Sequence, residues 1–280
     1  MSKTVLITGA TDGIGLATAI DLAARGARLV LHGRSEEKLE RARARAEEAR
    51  RGSVAATLSF DLAELAAVRR FAAAAAALPE LDVLVANAGI FKRQREITVD
   101  GFEATMAVNH LAHVLLVHEL LPRLRERAGA RVVLVSSMAH GRGALPNSPD
   151  FGLREPRGGA TPAFEGYAAY ARSKLANVLF GVELARRLGP HPTVNSLHPG
   201  VVSTNLLREG FGMSGPDSAA EGAATSVHLA MSDDVVSDTG LYWVRKRKAE
   251  AHPLSRDHAT TARFYEASCA AVGVNPLPPR

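Results

Sequence analysis

The sequence Thr4-Val-Leu-Ile-Thr-Gly9-Ala-Thr-Asp-Gly13-Ile-Gly15 decides the fold of this 280-residue chain. Residues 4–8 form a short β-branched run, which is typical of a buried strand. Three glycines follow with the spacing G-x3-G-x-G, and a helical pattern then runs over residues 16–25 and closes at Gly26. This order predicts a dinucleotide-binding turn, in which the glycines let a pyrophosphate approach the backbone at a helix N-terminus. A plain strand-to-helix turn is the alternative.

The rest of the chain repeats the alternation of strand and helix. Further strands are predicted at 28–31, 54–60, 82–86, 131–135, 193–197 and 241–244, and helices at 36–51, 65–78, 102–127, 170–188 and 219–231. With no internal repeat or linker, this pattern predicts an α/β fold: one single-domain Rossmann-type doubly wound parallel sheet over residues 1–280. Residues 138–166, rich in Pro and Gly, are too long for an ordinary connection and are interpreted as an inserted flap. Residues 200–217 are interpreted as a substrate lid and 276–280 as a loose tail.

Composition restricts the class of protein. The chain is 46% hydrophobic, has one cysteine and carries a formal net charge of +5. One cysteine excludes an internal disulfide and favours a reducing compartment. The sequence shows no leader peptide and no long uncharged apolar run, so we expect a soluble, cytoplasmic protein without a membrane anchor. The basic runs at 41–51 and 245–248 are interpreted as solvated faces, not as a nucleic-acid site.

The end of the second strand bears on the choice of cofactor. Its sequence is His32-Gly33-Arg34-Ser35, and Gly33 stands where NAD-binding turns usually place an acid for the ribose 2′-hydroxyl. The planar fork of Arg34 suits a 2′-phosphate. NADP(H) is therefore predicted, with NAD(H) the weaker alternative, although Asp12 in the glycine turn argues mildly the other way.

Polar residues follow three further strands. Asp61 can bind an adenine amino group or cap the next helix. The tripeptide Asn87-Ala88-Gly89 permits close approach of a cofactor ring or is merely a turn. Ser137 follows the strand at 131–135, where ligands of open parallel sheets bind, and a capping serine is the alternative. The pair His110 and His113 lacks an accompanying acid or cysteine cluster, so no metal site is predicted.

Tyr170 and Lys174 are four residues apart, and on a helix they share one face. A lysine ammonium beside a phenol favours the phenolate and lowers the tyrosine pKa towards the range useful for acid–base catalysis. A surface lysine beside a half-buried tyrosine is the alternative. Tyr167 has Ala171 at the corresponding position and is set aside as a decoy.

Together these motifs resemble the short-chain dehydrogenase/reductase family over about residues 4–244. The motifs are Thr8-Gly9-x3-Gly13-Ile-Gly15, Asp61-Leu62, Asn87-Ala-Gly89, Asn109, Ser137, Tyr170-x3-Lys174 and Pro199-Gly200. The segments Asn109-His-Leu-Ala-His113, Lys174-Leu-Ala-Asn177 and Asn195-Ser-Leu-His-Pro-Gly200 are similar to retinol-dehydrogenase-like and WW-domain-oxidoreductase-like members. Ser137 and Tyr170 are 33 positions apart, a longer separation than in the family's shorter members. The sequence also shows no N-terminal anchor, unlike many retinol dehydrogenases.

The resemblance implies a role for each matched position. Tyr170 would donate a proton to the substrate oxygen, Ser137 would position that oxygen, Lys174 would lower the tyrosine pKa and bind the ribose, and Asn109 would hold a water. Cofactor contacts are expected from Gly9, Thr11, Asp12, Gly13, Ile14, Gly15, Arg34, Asp61, Leu62, Asn87, Ala88, Gly89, Tyr170, Lys174, Pro199, Gly200, Val202 and Thr204.

The expected function is NADP(H)-dependent interconversion of a carbonyl and an alcohol on a fairly apolar small molecule. The alternative is an NADP(H)-binding sensor or scaffold without turnover, although such proteins typically lose the Tyr or the Lys. The sequence does not decide between a homo-oligomer and a monomer.

Overall fold

A computed structural model describes residues 2–154 and 163–280 of the chain. Its centre is an eight-stranded sheet with the order β3-β2-β1-β4-β5-β6-β7-β8. Seven neighbouring strands pair in parallel, and β8 pairs antiparallel with β7. The strands are β1 Thr4–Ile7, β2 Arg28–Gly33, β3 Val54–Ser59, β4 Val83–Ala86, β5 Arg131–Val135, β6 Thr193–His198, β7 Tyr242–Val244 and β8 Arg247–Ala249.

The order reverses at β1, whose two neighbours β2 and β4 lead away in opposite directions. In open α/β sheets this reversal opens a crevice at the carboxyl ends of the strands, where ligands bind. The predicted doubly wound α/β architecture is confirmed. The sheet has one strand more than predicted, because part of the basic run 245–248 forms the tight turn before the edge strand β8 and part forms β8 itself.

Helices cover both faces of the sheet. They are α1 Gly13–Ala24, α2 Glu36–Ala49, α3 Leu65–Ala76, α4 Ala104–Met106, α5 Ala112–Arg125, α6 Gly166–Leu188, α7 Ala219–Met231 and α8 His258–Val272. Side chains alternate along β1, so that Val5 and Ile7 join one apolar core with Leu22 of α1 while Leu6 joins the other with Leu179 of α6. This period of two is what a strand buried on both faces requires. The sequence did not predict α8.

A π-helical turn, Ala107–Leu111, joins α4 to α5 into one helix, Ala104–Arg125. This helix is apolar and long enough to span a membrane by composition, but 89% of its most apolar window is buried inside the protein. It is therefore a core helix of this fold. Its π turn contains Asn109, and such turns often mark functional positions.

The segment interpreted as a flap begins with a 3-10 turn, Met138–Arg142, beside the cleft. Phe151 and Leu153 are buried in the core, so this part of the segment is packed against the domain. The remainder, residues 155–162, lies outside the described residues. At the C-terminus, within the predicted tail, the Leu277 carbonyl accepts a hydrogen bond from Arg187 at 2.5 Å and the Leu277 N–H donates to Tyr265 at 3.2 Å.

Candidate active site

Helix α6 carries the Tyr–Lys pair. It begins at Gly166, one turn before the predicted start, where an added Cβ would lie 2.4 Å from the Lys92 carbonyl. Tyr170 and Lys174 consequently lie on its second and third turns, both almost fully buried. The Lys174 ammonium lies 5.6 Å from the centroid of the Tyr170 ring and donates to the Val135 carbonyl at 3.1 Å.

Ser137 stands two residues beyond the end of β5, facing the tyrosine. Its hydroxyl is close enough to the phenol of Tyr170 to lower the pKa of that group and accepts the Ala139 N–H at 3.2 Å, so the same serine lies at the site and caps the following 3-10 turn. Ser136 is used differently, because its hydroxyl donates to the Lys174 carbonyl at 2.8 Å. The structure thus brings Ser137, Tyr170 and Lys174 together.

Asn109 lies behind the lysine. Its side-chain oxygen accepts from the Ile90 N–H at 2.7 Å, and its amide nitrogen donates to the Ile90 carbonyl and to Ser173, each at 3.0 Å. An added Cβ on Gly89 would lie 3.3 Å from Lys174 Nζ and 3.4 Å from this oxygen, so a side chain here would be tight against both groups. Asn109 therefore braces the loop after β4, and its predicted role in holding a water stays a prediction.

The electrostatics of the pair differ from the prediction. Burial raises the pKa of Tyr170 to about 12, with the Ser137 hydrogen bond opposing the rise. Burial also lowers the pKa of Lys174 to about 8. The pKa of Tyr170 is therefore raised in this arrangement and not lowered as predicted, because loss of hydration, the largest cause at both groups, disfavours the phenolate and the ammonium alike.

The glycine turn is closely packed, as the glycine spacing predicted. An added Cβ on Gly9 would lie 2.9 Å from Ala88 Cα, and one on Gly15 would lie 2.1 Å from the Gly9 carbonyl. Asn87 ties this turn to β4 by donating to the carbonyls of Thr8 and Gly9 at 2.9 and 3.1 Å. The tripeptide after β4 is thus a brace for the turn as well as part of the cleft wall.

At the far end of the cleft, cations face the end of β2. Arg34 and Lys38 are exposed and line the cleft. A Cβ on Gly33 would lie only 2.4 Å from the Thr11 methyl group, so an acid could not replace this glycine without displacing Thr11. Lys38, in the first turn of α2 and four residues after Arg34, was missed by the sequence analysis. Asp61 lines the cleft and accepts the Ala63 N–H at 2.9 Å in the turn before α3. The N-cap of α3 is Glu64, whose side chain makes no capping hydrogen bond, so the capping alternative for Asp61 is wrong.

The predicted lid contacts the glycine turn across the cleft. Asn205 donates a hydrogen bond to the Asp12 carboxylate, which also accepts the Gly13 N–H at 2.7 Å. Asp217 holds the base of the lid by accepting the Val201 N–H at 2.8 Å. The acid in the glycine turn is therefore already paired with the lid.

Aromatic rings surround the phenol of Tyr170. Phe91 and Phe211 have ring centroids 4.3 Å apart, and Phe211 meets the Tyr170 ring edge-to-face at 5.3 Å. Tyr167, set aside as a decoy for catalysis, lines the cleft and lies 6.1 Å from Phe211. Phe91 was missed because it follows a turn and belongs to no sequence motif.

One cleft of about 810 Å³ connects the two ends. Its lining includes all the predicted site residues except Asn109 and Gly15, which support it from behind. The predicted residues in the lining are Gly9, Thr11, Asp12, Gly13, Ile14, Arg34, Asp61, Leu62, Asn87, Ala88, Gly89, Ser137, Tyr170, Lys174, Pro199, Gly200, Val202 and Thr204.

The two histidines considered for a metal serve the core instead. His113 Nε2 lies 2.9 Å from the Thr8 hydroxyl, and His110 lies 3.1 Å from Asn177 and 3.0 Å from Ser268. Burial lowers the pKa of both rings, to about 4 for His110 and about 3 for His113. Across residues 2–154 and 163–280, no group of three or more His, Cys, Asp or Glu side chains could hold a metal ion.

Comparison with known proteins identifies the family. Residues 3–148 match the family model described as short chain dehydrogenase. Retinol dehydrogenase 12 of Bos taurus is 38% identical over 282 residues, covering 97% of this chain and 87% of that protein. The chain therefore belongs to the short-chain dehydrogenase family, in its retinol-dehydrogenase-like branch, and is an oxidoreductase. The family predicted from the sequence is confirmed.

Solved structures agree with this assignment. An uncharacterised protein from Mycobacterium Paratuberculosis superposes with a TM-score of 0.78 and 33% identity, over 99% of this chain and 95% of that one. A blue fluorescent protein from a metagenomic library, solved in complex with NADPH, superposes with a TM-score of 0.67 and 27% identity, over 86% and 94% of the two chains.

Proposed function

We propose that this protein is an NADP(H)-dependent oxidoreductase that interconverts a carbonyl and an alcohol on apolar small molecules. The observation that carries the proposal is the single cleft with Ser137, Tyr170 and Lys174 at one end and the cations Arg34 and Lys38 at the other. This arrangement offers a proton donor to a substrate and a charged site to a dinucleotide. The retinol dehydrogenases among the relatives support the reaction class.

The residues of the cleft fit a dinucleotide carrying a 2′-phosphate. The close glycine turn leaves room for a pyrophosphate at the N-terminus of α1. Arg34 and Lys38 have no side-chain hydrogen bond or ion pair in the described part of the chain, so both can receive a phosphate, whereas the nearby Asp12 is paired with Asn205. When bound, NADPH supplies the hydride.

The protein's own residues supply the proton and the orientation. With a pKa of about 12, Tyr170 is protonated at neutral pH and is ready to donate its hydroxyl proton to a carbonyl oxygen. Ser137, beside that phenol, can donate to the same oxygen and fix its position. Lys174, held by the Val135 carbonyl, lies where it can contact a bound ribose.

The rings beside Tyr170 favour an apolar substrate. Phe91, Phe211 and Tyr167 line this end of the cleft with the apolar side chains of Met138 and Met213. Burying a substrate against such rings removes apolar surface from water and excludes water from the proton transfer. A small polar substrate would gain little from these contacts.

The first experiment is NADPH consumption with a panel of aldehydes, ketones and quinones, run beside Tyr170→Phe. We expect turnover in the wild type, and we expect the variant to lose at least 100-fold in kcat while its NADPH Kd changes by less than about threefold. Activity retained in the variant would contradict the assignment of Tyr170. Tight NADPH binding without turnover, in either the reductive or the oxidative direction, would favour the sensor alternative.

Arg34→Ala tests the cofactor preference. A charge-assisted phosphate contact is worth about 1.5–3 kcal/mol, so the NADPH Kd should rise about 10- to 100-fold while the NADH Kd stays nearly constant. Arg41→Ala is the matched control, because it removes the same charge from α2, the helix just after Arg34, where Arg41 pairs with Glu37 outside the cleft. Equal weakening of NADPH and NADH would reject the phosphate contact.

A further inference from the structure

Two histidines bind the same peptide group, the one that joins Ser137 to Met138. His198 Nδ1 accepts a hydrogen bond from the Met138 N–H at 3.2 Å. His140 Nδ1 lies 2.7 Å from the Ser137 carbonyl oxygen. Side chains therefore hold both polar atoms of the peptide that follows the serine of the active site.

This peptide lies just beyond the parallel sheet. Strand β5 ends at Val135, and the pairing with β6 continues for one more bond, from the Ser136 N–H to the Leu197 carbonyl at 2.8 Å. The next donor facing β6 is the Met138 N–H, and the side chain of His198, the last residue of β6, supplies its acceptor. The bond is partly buried, and the imidazole of His198 supplies the acceptor that the ladder lacks at this position.

The partners assign the tautomers of the two rings. A carbonyl partner requires that His140 Nδ1 carry its hydrogen, whereas an N–H partner requires that His198 Nδ1 carry none. The His198 ring is therefore neutral, with its hydrogen on Nε2, whereas the His140 ring carries a hydrogen on Nδ1. Burial lowers the pKa of His198 to about 4, helped by His140 and Arg245 and opposed by Asp217.

Packing fixes His140 in turn. The ring of Tyr242, on β7, lies with its centroid 4.4 Å from that of His140. Tyr242 is itself 5% exposed. The His140 ring therefore packs against a buried ring of β7 while it contacts the Ser137 carbonyl.

We propose that His198 and His140 are positioning residues for Ser137, acting through the 137–138 peptide. The orientation of that peptide sets the ψ angle of Ser137, which is 158°. Fixing this angle holds the serine Cβ and directs its hydroxyl to the phenol of Tyr170. The kinetic part of the proposal rests on the proposed oxidoreductase function, whereas the hydrogen bond itself can be tested without turnover.

Amide hydrogen exchange tests the hydrogen bond directly. In His198→Leu we expect the Met138 amide to exchange at least tenfold faster than in the wild type, with the amide of Val133 in the middle of β5 unchanged. His198→Asn should restore the protection, because its side-chain oxygen can occupy the place of Nδ1 and accept the same N–H. Unchanged exchange at Met138 in the leucine variant would overturn the proposal, whether or not a substrate is known.

A kinetic double-mutant cycle tests the route of the effect. We expect His198→Leu to lower kcat about 10- to 100-fold with little change in the NADPH Kd, and His198→Asn to recover most of that loss. In a Ser137→Ala background, the leucine substitution should change kcat less than twofold, because the group that it positions is already gone. Equal losses in both backgrounds would show a general structural effect and overturn the proposal.

His140→Phe provides a second variant if His198→Leu folds poorly. It keeps a ring against Tyr242 but removes Nδ1, and it should reproduce the loss of kcat with the same dependence on Ser137. A wild-type protein that turns over no carbonyl or alcohol would instead count against the proposed function. The exchange at Met138 would still decide whether His198 holds the 137–138 peptide.

Discussion

Replacing the buried lysine should stabilise this protein while abolishing its activity. Lys174 is 3% exposed and, within the described chain, its ammonium makes one hydrogen bond, to the Val135 carbonyl. Burial lowers its pKa from 10.5 to about 8. Because each pKa unit corresponds to about 1.4 kcal/mol, the charged lysine lowers the free energy of unfolding by about 3 kcal/mol below pH 8.

Lys174→Met keeps a chain of similar length and removes the charge. It loses the hydrogen bond to Val135, which costs about 1 kcal/mol. We therefore expect the free energy of unfolding at pH 7 to exceed that of the wild type by about 2 kcal/mol, or about 4–8 °C in Tm. Activity should be lost, since the lysine is part of the site.

The pH dependence has a definite sign. Between pH 8 and 10.5 the unfolded wild type binds more protons than the folded state at this position, so wild-type stability from this group rises with pH. The advantage of Lys174→Met should therefore shrink from about 2 kcal/mol at pH 7 to near zero at pH 10.

Urea denaturation of both proteins at each pH measures the difference between their free energies of unfolding. The titration of all other groups cancels in that difference. Arg172→Met, on the same helix, serves as a comparison for substituting a half-buried cation. A variant no more stable than the wild type at pH 7, or an advantage that grows with pH, would refute this reasoning.

Three further predictions follow from the site. Gly15→Ala should lower the free energy of unfolding by about 1–3 kcal/mol and weaken NADPH binding, because its Cβ would lie 2.1 Å from the Gly9 carbonyl. Gly141→Ala is the control: no atom lies within 4 Å of its Cβ, so thermal unfolding and NADPH binding should both stay unchanged. Phe211→Ala should raise KM for bulky apolar carbonyls more than for small ones, and equal effects would remove this ring from substrate binding. With Tyr170 at a pKa of about 12, kcat/KM for alcohol oxidation should keep rising from pH 7 to 10, whereas kcat/KM for carbonyl reduction should not rise. A plateau in the oxidation profile below pH 9 would contradict a phenol with that pKa.

Local pattern explains why the fold and much of the cleft could be predicted. The period of two in the strands, the glycine spacing after β1 and the i, i+4 spacing of Tyr170 and Lys174 are all properties of short segments. Parallel strands place their carboxyl ends on one edge, so residues after β1, β4 and β5 were expected to meet there. The structure brings Ser137 to Tyr170 for this reason.

The features that the sequence did not supply depend on neighbours distant along the chain. Phe91 becomes part of the cleft because Phe211 packs against it, 120 positions later. The edge strand β8 and helix α8 follow the last motif and carry no pattern tied to the site. His198 drew attention only as part of a family segment, because its partner, the Met138 N–H, lies on another strand connection.

The sequence by itself determined the family, the order of strands and helices up to β7 and the chemical groups available to the site, because these follow from local periodicity and residue type. Only the tertiary structure decided the protonation of those groups and the contacts that hold them. Desolvation depends on everything packed around an atom. In water, a lysine beside a tyrosine would favour the phenolate, whereas inside this core burial lowers the pKa of Lys174 and raises that of Tyr170, so the tyrosine keeps its proton.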